Sequence, residues 1–269
     1  MIIGGSSAAS CKLISRSRTI CEIQGSGVSS PYLGKSVTVE GIISADYWEG
    51  DPPGFFLGGR CPDQDTSAGI RVALDEPVAW LNLGDELRLE GQVAEQNYET
   101  RIQAEPESIK ILSLGNPLPD PLNLGDFYLQ DPRSFSYESL EGRLVSLPES
   151  LLLRKGEGEG DLLICPVFPP EISPVAGCSL GEDFYLRLAG SREHPELKAA
   201  APGAMISNLK GILSQDQEGY LIQLVDLTAI RIRNLPENLV SPAPVFWHPP
   251  ALMGLELHNQ HTTQCLEHQ

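Results

Sequence analysis

The stretch Ser36–Ala45 constrains this chain more than any other. Val37, Val39, Gly41, Ile43 and Ala45 fall on one face of a strand, and Ser36, Thr38, Glu40 and Ser44 on the other. One face is therefore core and the other wet. Gly41, set inside an otherwise regular strand, predicts a bulge or sharp bend of the kind a small closed barrel needs.

The residues that follow extend this pattern. Tyr47–Pro53 reads as a turn and Gly54–Leu57 as a short second strand. After a Gly-, Asp- and Ser-rich loop comes a third strand over Gly69–Leu74, and Glu76–Leu81 has the proline and acid of a short helical turn. Gly84-Asp85 opens a fourth strand with Leu87, Leu89, Gly91 and Val93 on one face, a turn at Asn97 leads into Thr100–Ala104, and Ile109–Leu114 closes the unit. Short strands in this order, with a helical turn between the third and fourth, match the OB-fold barrel.

Gly115–Pro121 is rich in proline, and a looser copy of the unit follows it. Leu140-Glu141-Gly142 echoes Val39-Glu40-Gly41, and Leu209-Lys210-Gly211 echoes Leu89-Glu90-Gly91. Gln103 and Gln223 stand at the same spacing beyond Gly91 and Gly211, which argues for an internal duplication. The expected fold is all-β: two tandem OB-like five-stranded barrels and a poorly ordered C-terminal tail. The expected divisions are a flexible leader over 1–19, a first barrel over 20–114, a linker over 115–134, a second barrel over 135–233 and an extended tail over 234–269.

Charge narrows the function. The formal net charge is −17, and neither predicted barrel is basic, which argues against tight, unspecific phosphate binding. No apolar run reaches the length of a membrane span. The first residues lack the continuous apolar core of a signal peptide. The six cysteines include no C-x-x-C pair. Cys165 with Cys178 would close a proline-rich loop, and Cys21 with Cys61 is a second candidate disulfide; unpaired buried thiols are the alternative.

Three pieces of the first unit resemble the OB-fold modules that precede the catalytic domain in bacterial extracellular nucleases of the endonuclease/exonuclease/phosphatase group. They are Ile23–Gly27 with Ser30-Pro31 and Gly34–Gly41; Gly54–Leu57 with Thr66-Ser67 and Gly69–Val72; and Gly84-Asp85 with Glu90-Gly91. The resemblance implies an extracellular or cell-surface, substrate-positioning module without chemistry of its own, served by a catalytic domain on a separate chain. A cytoplasmic location stays open. Nothing in Pro236–Gln269 resembles the nuclease's opening strand, so no catalytic residue carries over and the chain reads as a non-enzyme.

Barrels of this type stack bases on aromatics across strands 2 and 3 and the flanking loops. Tyr47, Trp48, Phe55, Phe56 and Tyr98 are the candidate platforms for single-stranded DNA or RNA, with Arg60, Arg71 and Arg101 to meet phosphate. The alternative places one of Phe55 and Phe56 in the core and leaves the arginines as isolated surface charges. Asp63 and Asp65, with Asp51 nearby, could hold calcium, although no EF-hand ligand series accompanies them. His258, His261 and Cys265 lack a fourth metal ligand, His194 stands alone, and no cofactor is expected. An acidic protein-interaction scaffold, calcium-bound or not, is the competing reading.

Overall fold

The computed structural model describes residues 17–61, 66–130, 136–155, 162–167, 185–189 and 194–234, with the backbone alone for Arg154 and Lys155. The first half contains β1 (Ser17–Arg18), α1 (Ile20–Gln24), β2 (Ser36–Tyr47), β3 (Gly54–Gly58), β4 (Gly69–Ala73), β5 (Glu86–Gln96), β6 (Glu99–Ala104) and β7 (Lys110–Ser113). β2 pairs antiparallel with both β3 and β5, β4 runs parallel to β6, and the circuit β2-β3-β4-β6-β5 closes. The second half contains β8 (Leu122–Asn123), α2 (Leu124–Gln130), β9 (Leu144–Lys155), β10 (Leu162–Pro166), β11 (Leu186–Ala189), α3 (Pro195–Ala199), β12 (Ala204–Asp216), β13 (Gly219–Leu224) and β14 (Arg231–Asn234). It closes through β9-β10-β11-β13-β12 in the same way. The protein is all-β, built of two closed five-stranded barrels with OB connectivity.

The duplication is visible in register. Gly91 and Gly211 sit at the same place, and a Cβ on either would meet the following glutamine's carbonyl, Gln103 O at 2.4 Å or Gln223 O at 2.3 Å. Each barrel also starts with a two-residue strand parallel to its first long strand, followed by a short helix: β1 and α1, then β8 and α2. The expected boundaries miss both lead-ins. Ser17–Arg18 lies within the expected leader, and β8 with α2 lies within the expected linker, where Leu124 is fully buried in the second core.

One echo is misaligned. Val39–Gly41 lies inside β2, whereas Leu140–Gly142 precedes β9. The true counterpart of Gly142 is Gly34. Both have positive φ, and each donates its N–H to the middle of the fourth barrel strand, to Val93 O or Leu213 O. Lys35 and Arg143 are therefore equivalent positions.

β2 departs from simple alternation. Val37, Val39 and Ile43 face the first core with Phe55, Leu57, Ile70 and Val72. The register then slips between Ile43 and Ala45, not at Gly41. Gly41 pairs regularly with Leu87, and its missing side chain lets the Gly58 carbonyl approach to 3.0 Å of where a Cβ would stand. After the slip, Ala45 faces outward. Ser44, expected to be wet, is buried and donates to Phe56 O at 3.2 Å. The helical turn expected over Glu76–Leu81 is instead a plain turn closed by Leu81 N–H to Val78 O. A helix does occupy that place in the second barrel: α3, where His194 Nδ1 accepts the Leu197 N–H at 3.2 Å. His194 is an N-cap.

Candidate nucleic-acid interface

The outer surface of β3 and β4, where a barrel of this type takes its ligand, is covered by the second barrel. Phe56 points outward from β3, as its neighbour Phe55 points inward, yet both are fully buried. Phe56 packs with Ala45 against Leu144 and Ile212 of the second barrel, with Tyr47 edge-on to its ring at 6.4 Å.

A charged network borders this apolar seam. Period-two alternation puts Glu99 and Arg101 on one face of β6. Arg71 crosses from β4, and both guanidiniums reach Glu99 Oε2, Arg71 at 3.0 Å and Arg101 at 3.1 Å. Glu99 Oε1 accepts the Ser214 hydroxyl from β12 at 2.5 Å. Glu141 accepts the Thr100 N–H at 2.9 Å through Oε1, while its Oε2 has no partner. Burial, and then the Glu99 charge, push the Glu141 carboxyl up to about 9, so it is protonated at neutral pH. Burial also raises the neighbouring Glu138 carboxyl and lowers the Arg101 guanidinium, which Glu99 opposes.

Backbone contacts complete the junction. Gln24 donates to Gly69 O at 2.7 Å and to Glu141 O at 3.3 Å, and Ser67 donates to Glu141 O at 2.5 Å. Gly69 and Gly142 meet backbone to backbone, and a Cβ on Gly69 would lie 2.0 Å from Gly142 O.

Phe55, Phe56, Arg71 and Arg101 are thus corrected from ligand contacts to core and junction. Tyr47 lies beneath the Arg71 guanidinium, 4.4 Å from ring centroid to Cζ. Three candidates remain accessible. Trp48 follows β2 in the loop between the first and second barrel strands; it is half-buried and leans on Phe55 at 5.8 Å. With Ile43, Asp46, Leu81, Asn82 and Leu83 it lines a surface pocket of about 470 Å³. Tyr98, at the tip of the turn between the fourth and fifth barrel strands, is half-exposed, and Arg60 is exposed.

A larger groove of about 920 Å³ runs along the barrel junction, lined by Arg60, Arg143, Gly58, Gly59 and the connecting segment Asn116–Asp120 among others. Cys61, also on its wall, is joined to Cys21 of α1 by a disulfide. Cys165 is buried. Its candidate partner Cys178 lies outside the described residues, as do Asp63, Asp65, His258, His261, Cys265 and the tail after Asn234. Asp51 is exposed, and no group of three metal-ligating side chains occurs among the described residues. Nor is any helix among them long and apolar enough to cross a membrane.

The sequence reading missed Glu99, Glu141, Ser214 and Arg143. Alternation could have placed Glu99 and Arg101 on one face, but no local signal shows that a second barrel covers that face.

No protein-family model matches the chain, and no curated protein matches it. Among solved structures, the p204 HINb domain is similar at 10% identity, covering 76% of this chain and 97% of that one, with a TM-score of 0.28. A deletion variant of the single-stranded DNA-binding protein from Thermus aquaticus is similar at 14% identity, covering 75% and 94%, with a TM-score of 0.22. The wild-type form of that protein gives 15%, 78% and 96%, with a TM-score of 0.20. Likenesses of this size carry no argument about ligand, and the fold assignment rests on this chain's own strand order.

Proposed function

We propose that the chain is a non-catalytic tandem OB-fold module that holds single-stranded nucleic acid through the loops of its first barrel. The observation that carries this reading is the placement of the accessible aromatics. Trp48 and Tyr98 occupy the two loops that serve oligonucleotide binding in OB barrels, and Trp48 opens onto a pocket. Stacking on an aromatic contributes about 1–3 kcal/mol per base and tolerates any sequence. With a net charge of −17, little of the affinity comes from phosphate, so the salt dependence is shallow.

The test is a titration of fluorescent oligo-dT with the full chain at about 50 mM salt, with and without divalent ions. Saturable binding, reduced at least tenfold by Trp48→Ala, is the expected result. Absence of binding at about 100 μM protein sinks the reading.

In its finer form the module serves a nuclease carried on another chain, outside the cytoplasm. The sequence resemblance and the Cys21–Cys61 disulfide, a bond suited to oxidising compartments, support this form. Co-purification of a single-strand-degrading activity from the native source tests it. The interaction-scaffold reading has one specific support. Among the described residues β7 pairs only with β5, and it exposes Ile111 at 39% and Leu112 at 43% on opposite faces. A protein captured in a complex that Ile111→Lys abolishes, with oligo-dT inert, would favour that reading.

A further inference from the structure

Among the described residues, most arginines have a partner for the guanidinium, in Glu22, Glu40, Glu99, Asp216 or backbone carbonyls. Among the described residues, the guanidiniums of Arg60, Arg143 and Arg233 have neither an ion pair nor a hydrogen bond, and the first two line one groove. They come from different barrels. Arg60 sits on the loop that the Cys21–Cys61 disulfide pins to α1, and Arg143 follows the Gly142 contact with Gly69.

We infer that the groove between the barrels is a phosphate site, in which Arg60 and Arg143 receive phosphodiester groups of a bound single strand. The inference rests on the nucleic-acid reading and adds the place where the backbone is held. Arg143 is half-buried, and burial alone lowers its pKa with no carboxylate opposing it. A cation desolvated in this way lacks the anion that would offset the loss. Its counterpart in the first barrel, Lys35, is already used, donating to Pro31 O at 2.9 Å and lying 5.1 Å over the Tyr32 ring. Both copies of the position thus carry a positive charge, and internal partners for that charge are present in the first barrel alone among the described residues. Of the carboxylates lining the groove, Glu40 is held by Arg88 at 2.6 Å and Glu86 by the Ser113 hydroxyl at 2.8 Å. The Ser113 hydroxyl leaves the Glu86 charge in place, so Glu86 and Asp120 both oppose phosphate and keep the affinity modest. Gly58 and Gly59 add no open backbone to the wall, because Pro119 and Ile20 lie 2.6 Å and 3.0 Å from where their Cβ atoms would stand; the two arginines carry the site.

The experiment follows the arginine Nε–H signals of the full chain by NMR while oligo-dT, or separately inorganic phosphate, is added. Saturable shifts of the Arg60 and Arg143 signals with oligo-dT support the site. With two phosphate contacts, log K against log salt falls with a slope of about −1.4 for a single strand. The Arg60→Ala/Arg143→Ala double variant flattens that slope toward zero and weakens binding roughly tenfold at low salt. Arg233→Ala changes neither. If the double variant binds oligo-dT like the parent and with the same slope, the site is overturned while the nucleic-acid reading stands. If oligo-dT does not bind but phosphate moves both signals, the groove is a free-anion site and the nucleic-acid reading falls. If neither ligand moves them, the inference is wrong.

Discussion

The Ser214 hydroxyl donates to Glu99 Oε1 at 2.5 Å across the barrel junction, and so hydrogen-bonds the second oxygen of a carboxylate whose other oxygen is shared by two arginines. Glu99 is 1% exposed and Arg101 2%, so the group is a buried ion network. Removing one member of such a network is far more damaging than its net worth suggests, because the others stay buried and unpaired. Glu99→Gln is expected to destabilise the protein by about 3–5 kcal/mol, against about 1 kcal/mol for Ser214→Ala. Urea unfolding of both variants measures the difference.

Stability should fall as pH rises, in a window set by Glu141. Its carboxyl titrates near 9 in the folded chain and near 4.5 when unfolded. Its contribution is fully present below pH 4.5, declines between the two values, and is gone above about 9. One proton gives a slope of at most about 1.4 kcal/mol per pH unit. Glu138 acts in the same direction; Glu95 and Glu99 add negative charge, and Arg71 and Arg101 positive, around the group. Glu141→Gln keeps an acceptor for the Thr100 N–H and stays neutral, so it should flatten the profile and raise stability at neutral pH. Thermal melts from pH 5 to 9 check this; an unchanged profile would refute it.

Gly69→Ala should loosen the junction itself. The new methyl would lie 2.0 Å from Gly142 O, and that glycine's φ of +74° gives it little freedom to retreat. Overpacking of this kind typically costs about 1–3 kcal/mol. Because Phe56 lies under the same junction, limited proteolysis between the barrels should quicken along with the loss of stability.

Replacing Cys21 and Cys61 together by serine removes a cross-link between residues 40 apart in sequence. A loss of about 2–4 kcal/mol is expected. If Arg60 holds phosphate, the same variant should also lower oligo-dT affinity, since its loop is no longer pinned.

Much of the fold is legible in the residues. The alternation of Val37, Val39 and Ile43 and the Gly91/Gly211 spacing follow from local geometry, and the structure has both. The surface was harder to read, for a physical reason. Phe56 and Arg71 have the periodicity of outward-facing residues, and they do face outward, but onto a second barrel. Whether an outward face meets water or protein depends on contacts more than a hundred residues apart in sequence, such as Glu99 with Ser214. The lead-in strands were missed because two residues carry no period. The accessibility of Trp48 and Tyr98, as distinct from any role in binding, was legible because loops stay at the surface wherever the barrels dock.

That separation also has a consequence during synthesis. Ser214 leaves the ribosome 115 residues after Glu99, a delay on the order of ten seconds at ordinary elongation rates. Throughout it the first barrel can close, yet Phe56 has no cover and the Glu99 network no hydroxyl from β12. The nascent chain passes through a stage with a sticky aromatic seam on a finished barrel, open to chaperones or to the same seam on a neighbouring nascent chain until its own second barrel arrives.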